Sequence, residues 1–202
     1  MYVRIRILSI AALFILSVAC RAVVVWSENI NGDLSTNPNV PTPVSFQLGS
    51  NIINGSVFTG SDTRDYITFT IAAGLQLTSL RLLAYDDLNT GTPNDGNTGF
   101  HAINFGSTSF IPGFDTIGEF LGGDHLNPLI GTDLLPRLAS ASVAGTGFEV
   151  PLEPGTYTYL VQQTGPQLTG YSVEFNVVPE PSSVALALAG LGIVGRRPHR
   201  RK

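Results

Sequence analysis

The 202-residue chain has a single cysteine, Cys20. No intramolecular disulfide can therefore form, which excludes a small disulfide-stapled scaffold. Charged residues make up only 13% of the sequence, about half the share of an average soluble protein. Residues 23–178, called the body below, contain no lysine, and three arginines stand there against fourteen acids. Nucleic acid is therefore not expected as a partner of the body.

Sequence motifs of common enzymes are also missing. The chain has no G-x-S-x-G, no H-E-x-x-H, no phosphate-binding G-x-x-x-x-G-K and only three histidines. Asp124 beside His125 could orient an imidazole, but a Gly-Gly-Asp-His segment is far more typical of a surface loop with solvated polar residues. We therefore expect a protein without catalytic activity and without a cofactor other than Ca²⁺. A hydrolase with an unrecognised site stays open as a third alternative for function.

Residues 1–22 have the pattern of a secretory signal peptide. A basic start, Met1–Arg6, is followed by the apolar run Ile7–Val18 and by small residues that end at Ala22. As a helix the run would span only ~18 Å, too short for a ~30 Å hydrocarbon core. The pattern predicts export through the general secretion machinery and cleavage by signal peptidase after Ala22. Lipidation of Cys20 is the alternative.

Residues 179–202 combine three features in order. The motif Pro179-Glu180-Pro181 comes first, an uncharged apolar segment over 182–195 follows, and a basic end closes the chain. The composition of this segment predicts a helix that anchors the precursor transiently in the membrane. Such a helix would be ~21 Å long, which is marginal for spanning a hydrocarbon core ~30 Å thick. Basic residues after such a segment act as a stop-transfer signal, and here they are Arg196, Arg197, Arg200, Arg201 and Lys202.

The segment VPEPSSVALALAGLGIVGRRPHRRK resembles the PEP-CTERM sorting signal of exported bacterial proteins. The resemblance implies that an exosortase, a membrane cysteine transpeptidase, recognises Pro179, Glu180 and Pro181 and processes the chain near them. It also implies delivery to the cell surface or to an extracellular matrix. The short apolar segment and the interruption of the basic end by Pro198-His199 depart from the family's pattern.

The body alternates between apolar and polar residues as β-strands do. In Asp65–Ile71, the side chains of Ile67, Phe69 and Ile71 share one face. Turn residues separate the candidate strands, which are Val44–Leu48, Ile52–Phe58, Asp65–Ile71, Leu77–Tyr85, Phe100–Phe105, Phe148–Leu152, Thr156–Gln162 and Gly170–Val177.

This pattern predicts an all-β fold, an antiparallel β-sandwich or jelly roll. The segment His125–Ser142 is predicted to leave the sheets as a short helical excursion limited by Pro136. The stretches DYITFTIAAGLQLTSL and LEPGTYTYLVQQTG also resemble strands of bacterial pre-peptidase-type C-terminal domains. That resemblance implies the same jelly-roll architecture.

One stretch of the body has the composition of a cation site. Asp86-Asp87-Leu88-Asn89 and Asn94-Asp95-Gly96-Asn97 offer many oxygen ligands on turn-forming backbone, which suits Ca²⁺. Asp86, Asp87 and Asp95 are the candidate ligands if this stretch binds Ca²⁺. The spacing does not follow the twelve-residue helix-loop-helix calcium pattern, so we expect a long turn rich in Asx residues, with calcium binding as the alternative.

These observations predict an exported protein of the cell surface or extracellular matrix with a structural or adhesive body. The alternative is a carbohydrate-binding module that takes extracellular polysaccharide. Three coplanar aromatic rings on an exposed sheet face would favour that alternative. The candidates for such a row are Tyr85, Phe100, Phe105, Phe110, Phe114 and Phe120.

Overall fold

The computed structural model describes residues 21–88, 92–93, 99–107, 120–126, 129–141, 143–163, 165 and 167–181. The predicted signal helix and the predicted tail helix lie outside the described residues, as do the five basic residues of the stop-transfer signal. Within the described part, no helix has the length and apolar character needed to cross a membrane.

The described residues are mostly β, with two short helices. In chain order the elements are β1 (Val23–Ser27), α1 (Glu28–Asn31), β2 (Thr42–Pro43), β3 (Gly49–Phe58), β4 (Arg64–Ile71), β5 (Leu75–Asp87), β6 (Thr92–Pro93), β7 (Gly99–Phe105), β8 (Gly122–His125), α2 (Leu135–Ala139), β9 (Gly155–Gln163) and β10 (Leu168–Pro179).

The strands form two five-stranded sheets. Sheet A has the order β1-β3-β10-β5-β6, and sheet B has the order β2-β4-β9-β7-β8. The last strand, β10, lies in the middle of sheet A and pairs antiparallel with both β3 and β5. In sheet B the central strand is β9, which is antiparallel to β4 and β7.

The predicted antiparallel pairing holds for the central strands of both sheets and fails at two sheet edges. Strand β1 is parallel to β3, and β2 is parallel to β4. After β1 the chain passes through α1 into sheet B as β2 and returns to sheet A as β3. Because no tight hairpin joins β1 to β3, nothing forces these neighbours into antiparallel pairing.

Two predicted strands are absent from the described structure. Val44–Leu48 follows the short strand β2 rather than forming a strand itself, although Phe46 packs against the core. In Phe148–Leu152, Pro151 has no N–H to offer to a ladder, and only Leu152 makes a bridge, to Leu77. The helical excursion is confirmed by α2, which has its proline in the first turn.

One hydrophobic core lies between the sheets, as the prediction of a sandwich requires. Phe69 of sheet B and Phe175 of sheet A meet there with ring centroids 5.4 Å apart, and Phe46 stacks on Phe69 at 4.6 Å. A smaller apolar cluster, which includes Tyr66 and Phe100, lies on the other side of sheet B. The apolar residues on the inner face of β4, Ile67, Phe69 and Ile71, therefore pack in the main core.

Strand register defines two opposite ends of the body. At one end Phe58 of β3 pairs with Leu168 of β10, close to the start of β4; we call this the acidic end. At the other end Pro179 of β10 pairs with Leu75 of β5; we call this the tail end. The candidate functional residues lie at these two ends.

Candidate functional site

Three carboxylates from separate elements meet at the acidic end. Glu28 opens α1, Asp33 follows that helix, and Asp65 is the second residue of β4. Oxygen atoms of all three lie within 4.8 Å of one another. We call these residues the acidic cluster.

The floor of the acidic cluster is a buried carboxylate. The Asp65 side chain is 1% exposed, and its Oδ2 accepts a hydrogen bond from the Tyr171 hydroxyl at 2.7 Å. The other oxygen, Oδ1, is also buried and has no hydrogen-bond partner. Gly55 makes room for the Tyr171 hydroxyl, because a Cβ at that position would lie 2.4 Å from it. Asp65 is thus fixed in place with one oxygen left unsatisfied.

The other two carboxylates line the way out to solvent. Both Glu28 oxygens accept hydrogen bonds, Oε1 from the backbone N–H of Leu34 at 3.3 Å and Oε2 from the Ser56 hydroxyl at 2.8 Å. Glu28 is half-buried and Asp33 is exposed. The cluster therefore runs from an exposed carboxylate to a buried one, so an ion can enter from water.

The charges around the cluster are all of one sign. The pKa of Asp65 is raised to about 9, chiefly by burial; the Tyr171 hydrogen bond lowers it, and the charges of Glu28, Asp62 and Asp33 add to the rise. Burial likewise raises the pKa of Asp62 to about 7, and it also raises that of Glu28. The neighbouring cation on β4, Arg64, interacts with Tyr66 on the opposite face. The cluster thus lacks a neutralising arginine among the described residues.

Such an arrangement is suited to a hard cation. Ca²⁺ takes six to eight oxygen ligands at about 2.3–2.6 Å, so ligands on opposite sides of one ion are separated by roughly 5 Å. The three carboxylates are close enough for one ion to contact them all. A cation there would also give the Asp65 Oδ1 atom the partner that it lacks.

The acidic cluster was not predicted from the sequence, although one signal pointed to it. Asp65 has the same parity along β4 as Ile67, Phe69 and Ile71, so the alternation places a carboxylate on the core face. An acid is rarely buried without a partner. An acid in phase with a strand's apolar residues is therefore the pattern that could have identified the site.

The candidate calcium ligands Asp86 and Asp87 are not part of the acidic cluster, although Asp86 lines one pocket together with Glu28 and Ser56. Asp86 and Asp87 are consecutive residues of β5, so they face opposite sides of sheet A. Asp86 is half-buried, whereas Asp87 is 5% exposed. The structure does not bring these two carboxylates together, and Asp95 lies outside the described residues. Calcium binding through this set stays a prediction.

The pair Asp124 and His125 is committed to structural contacts. Asp124 is 1% exposed and forms a salt bridge with Arg137 of α2. Its Oδ1 accepts from the backbone N–H of His125 at 2.8 Å, rather than from the imidazole. Asp124 therefore joins β8 to α2, and this geometry does not orient the His125 ring.

The candidate aromatic row is mostly buried where it is described. Tyr85, Phe100 and Phe120 are at most 8% exposed, and Phe105 is 60% exposed. Phe110 and Phe114 lie outside the described residues. The residues that the structure describes thus offer one of the six candidate rings to solvent.

At the tail end, the Pro-Glu-Pro motif begins inside a strand. Pro179 is the last residue of β10 and pairs with Leu75, and the Glu180 N–H donates to the Gly74 carbonyl at 2.9 Å. Pro179 and Pro181 are exposed, and Glu180 is half-buried. The Pro179 nitrogen faces away from β5, towards the side of β10 that pairs with β3. Pairing with β3 has already ended at Val177, so the missing N–H of the proline costs no hydrogen bond between strands.

Comparison with known families identifies this end of the chain. Residues 177–201 match the PEP-CTERM protein-sorting motif. No curated protein matches the chain, and the resemblance of the body to pre-peptidase-type domains stays a prediction. The chain carries a PEP-CTERM sorting signal, which marks it as an exported, membrane-anchored precursor that exosortase processes and sorts to the cell surface.

Proposed function

We propose that the body, a β-sandwich, serves at the cell surface or in the extracellular matrix as a structural or adhesive module that binds Ca²⁺ at its acidic end. Exosortase would release it from its anchor at Pro179–Pro181. The observation that carries the calcium proposal is the unpartnered Oδ1 of Asp65, buried where two further carboxylates converge.

Bound Ca²⁺ would reduce the electrostatic repulsion among the three carboxylates of the acidic cluster. Carboxylates that are buried together repel one another, and each also loses its hydration. A divalent cation offsets both costs at once. Extracellular modules commonly bind Ca²⁺ with dissociation constants of about 10⁻⁴–10⁻³ M. A site with an exposed ligand and a buried one fits this range, and the sorting signal directs the chain to such surroundings.

A non-catalytic role is supported by the surroundings of the histidines. His101 is fully buried between the sheets, where its Nδ1 lies 3.0 Å from the Tyr159 hydroxyl. Burial lowers the pKa of His101 to about 3, so the ring stays neutral and out of reach of a substrate. A polysaccharide-binding role has less support, because Phe105 alone of the described candidate rings is exposed.

Calcium binding is tested by calorimetric titration and by thermal unfolding of the exported protein. We expect a 100-fold excess over the dissociation constant to add ~2.7 kcal/mol of stability, or about 5–10 °C in melting temperature. Asp65→Asn should abolish the shift, whereas the control Glu149→Gln, which changes an exposed carboxylate outside both sets of candidate ligands, should retain it. Loss of binding in Asp86→Asn alone would move the site to the predicted loop, and no binding by wild type would refute the proposal.

Processing is tested by replacing Pro179, Glu180 and Pro181 together with Ala in a host that contains the sorting enzyme. The apolar segment and basic end are unchanged, so the precursor should still insert but remain uncut in the membrane fraction. It should be heavier than the product by roughly the mass of the tail. The control Ser182→Ala should be processed normally. A triple variant that is cut and released like wild type would contradict processing at this motif.

A further inference from the structure

The sorting signal and the folded body share residues. The matched motif starts at residue 177, two residues before β10 ends at Pro179. Val178 pairs with Gln76 and Pro179 pairs with Leu75. The Glu180 N–H then donates to the Gly74 carbonyl, which extends the attachment one residue beyond the strand. No spacer separates the fold from the motif.

The partner side of this attachment is a tight turn. The Leu75 N–H donates to the Ala72 carbonyl at 3.1 Å and closes the turn between β4 and β5. Gly74 has a φ of +80°, a backbone conformation that residues other than glycine rarely adopt. The turn therefore holds the Gly74 carbonyl in a fixed position as the acceptor for Glu180.

On the other side of the attachment the strand pairing stops earlier. Pairing between β10 and β3 ends at Val177 and Gly49, so among the described residues Val178 and Pro179 keep their strand pairing with β5 only. Val177 is 2% exposed and belongs to the core, whereas Val178 is half-buried and Pro179 is exposed. Detachment of the strand end can thus stop at Val177 without disturbing the core.

The distance to the membrane leaves little space around the motif. Only Glu180 and Pro181 separate β10 from the apolar segment that begins at Ser182. Two extended residues span about 7 Å, and the headgroup layer on one side of a bilayer is roughly 5–7 Å thick. With the tail in the membrane, the motif therefore lies between the folded body and the lipid.

We propose that residues 178–180 form a latch, which must detach from β5 before exosortase can bind Pro179–Pro181. An enzyme that recognises a tripeptide has to enclose its side chains and backbone, and β5 occupies one backbone edge while the body blocks the approach. The folded body thus restrains its own processing. This inference rests on the proposed processing at the motif.

The test locks the latch with a disulfide. Gln76→Cys and Val178→Cys place two thiols on directly paired residues of adjacent antiparallel strands, at a spacing that a disulfide can bridge. The chain's own cysteine, Cys20, lies in the predicted signal peptide. In a host with exosortase, we expect the oxidised variant to be processed at least tenfold more slowly than wild type. Reduction should restore the rate, and each single variant should behave like wild type.

Two further variants exclude other causes of slow processing. Insertion of Gly-Ser-Gly-Ser between Val178 and Pro179 separates the Pro-Glu-Pro tripeptide from β5. The disulfide-locked protein with this insert should therefore be processed as fast as the same protein after reduction. Val178→Gly weakens the strand end without changing the Pro179-Glu180-Pro181 tripeptide and should speed processing about two- to fivefold. Melting temperature and mass confirm folding and the disulfide.

The inference is overturned if the verified disulfide leaves the processing rate unchanged, or if the locked protein with the insert stays slow. These outcomes are distinct from failure of the proposed processing. That failure would appear as normal release of the triple Ala variant in the same host. All processing rates are measured by pulse-chase labelling.

Discussion

The acidic end and the tail end of the body are held together in different ways. At the acidic end, side-chain carboxylates from α1, β4 and the segment between them meet with one buried oxygen unpartnered. At the tail end, main-chain hydrogen bonds attach the sorting motif to β5. We therefore expect the first arrangement to respond to ions and pH, and the second to changes in strand pairing. The two proposed functions, ion binding and restraint of processing, lie at opposite ends of the fold.

The largest expected effect is a pH dependence of stability that calcium removes. Burial raises the pKa of Asp65 to about 9 and that of Asp62 to about 7, so the folded state keeps protons that the unfolded state releases above about pH 4. Stability of the cation-free protein is therefore highest in mild acid and falls as the pH rises towards 9.

Melting curves between pH 5 and pH 9 check this prediction. In chelator the melting temperature should decrease with pH, and in excess Ca²⁺ the decrease should be flattened because the ion replaces the protons. Asp65→Asn should flatten the curve in chelator as well. Equal slopes with and without Ca²⁺ would show that the ion does not replace these protons, and an unchanged slope for Asp65→Asn in chelator would show that Asp65 is not the source of the pH dependence.

A smaller effect is expected from the hydroxyl that fixes Asp65. Tyr171→Phe removes the donor to Oδ2 and leaves both Asp65 oxygens without a protein partner, which should cost about 1–3 kcal/mol in the absence of calcium. Tyr159→Phe is the matched control, because it removes a buried hydroxyl near His101 instead. Denaturant unfolding with and without Ca²⁺ should show a changed calcium response for Tyr171→Phe only.

The smallest expected effect is the influence of one end on the other. Glu180 lies nine positions after Tyr171, just beyond the end of β10, which corresponds to about 30 Å at ~3.3 Å per residue. Distant sites usually contribute additively to stability. Asp65→Asn should therefore be processed within about twofold of the wild-type rate. The disulfide-locked variant should bind Ca²⁺ with wild-type affinity. A large change in either measurement would mean that the ends are coupled.

The sequence predicted those parts of the fold that depend on local alternation. The period of two in Asp65–Ile71 and Gly170–Val177 identified β4 and β10 because each has one face in the core. The parallel edge strands β1 and β2 could not be predicted, since their direction follows from a crossover between sheets and not from their own residues. Phe148–Leu152 has a strand-like composition but contains a proline.

The candidate sites divide in the same way. The sorting motif is a contiguous string and could be identified directly, but its attachment to β5 is a main-chain pairing between residues far apart in sequence. The acidic cluster draws Glu28, Asp33 and Asp65 from three places, and only the fold brings them together. Asp86 and Asp87 show the opposite case: they are adjacent in sequence, but the fold separates their side chains because consecutive residues of a strand face opposite sides of the sheet.

The central position of β10 in sheet A sets the order in which the exported chain can fold. Synthesis and export proceed from the N-terminus, so β10 is the last strand to emerge, yet β3 and β5 are both paired through it. If the chain crosses the membrane unfolded through the general secretion machinery, as residues 1–22 predict, sheet A cannot close before translocation is complete. The late strand also brings Tyr171 to Asp65 and Glu180 to Gly74. Completion of the fold, of the acidic cluster and of the attachment near the membrane is therefore a single event that follows translocation.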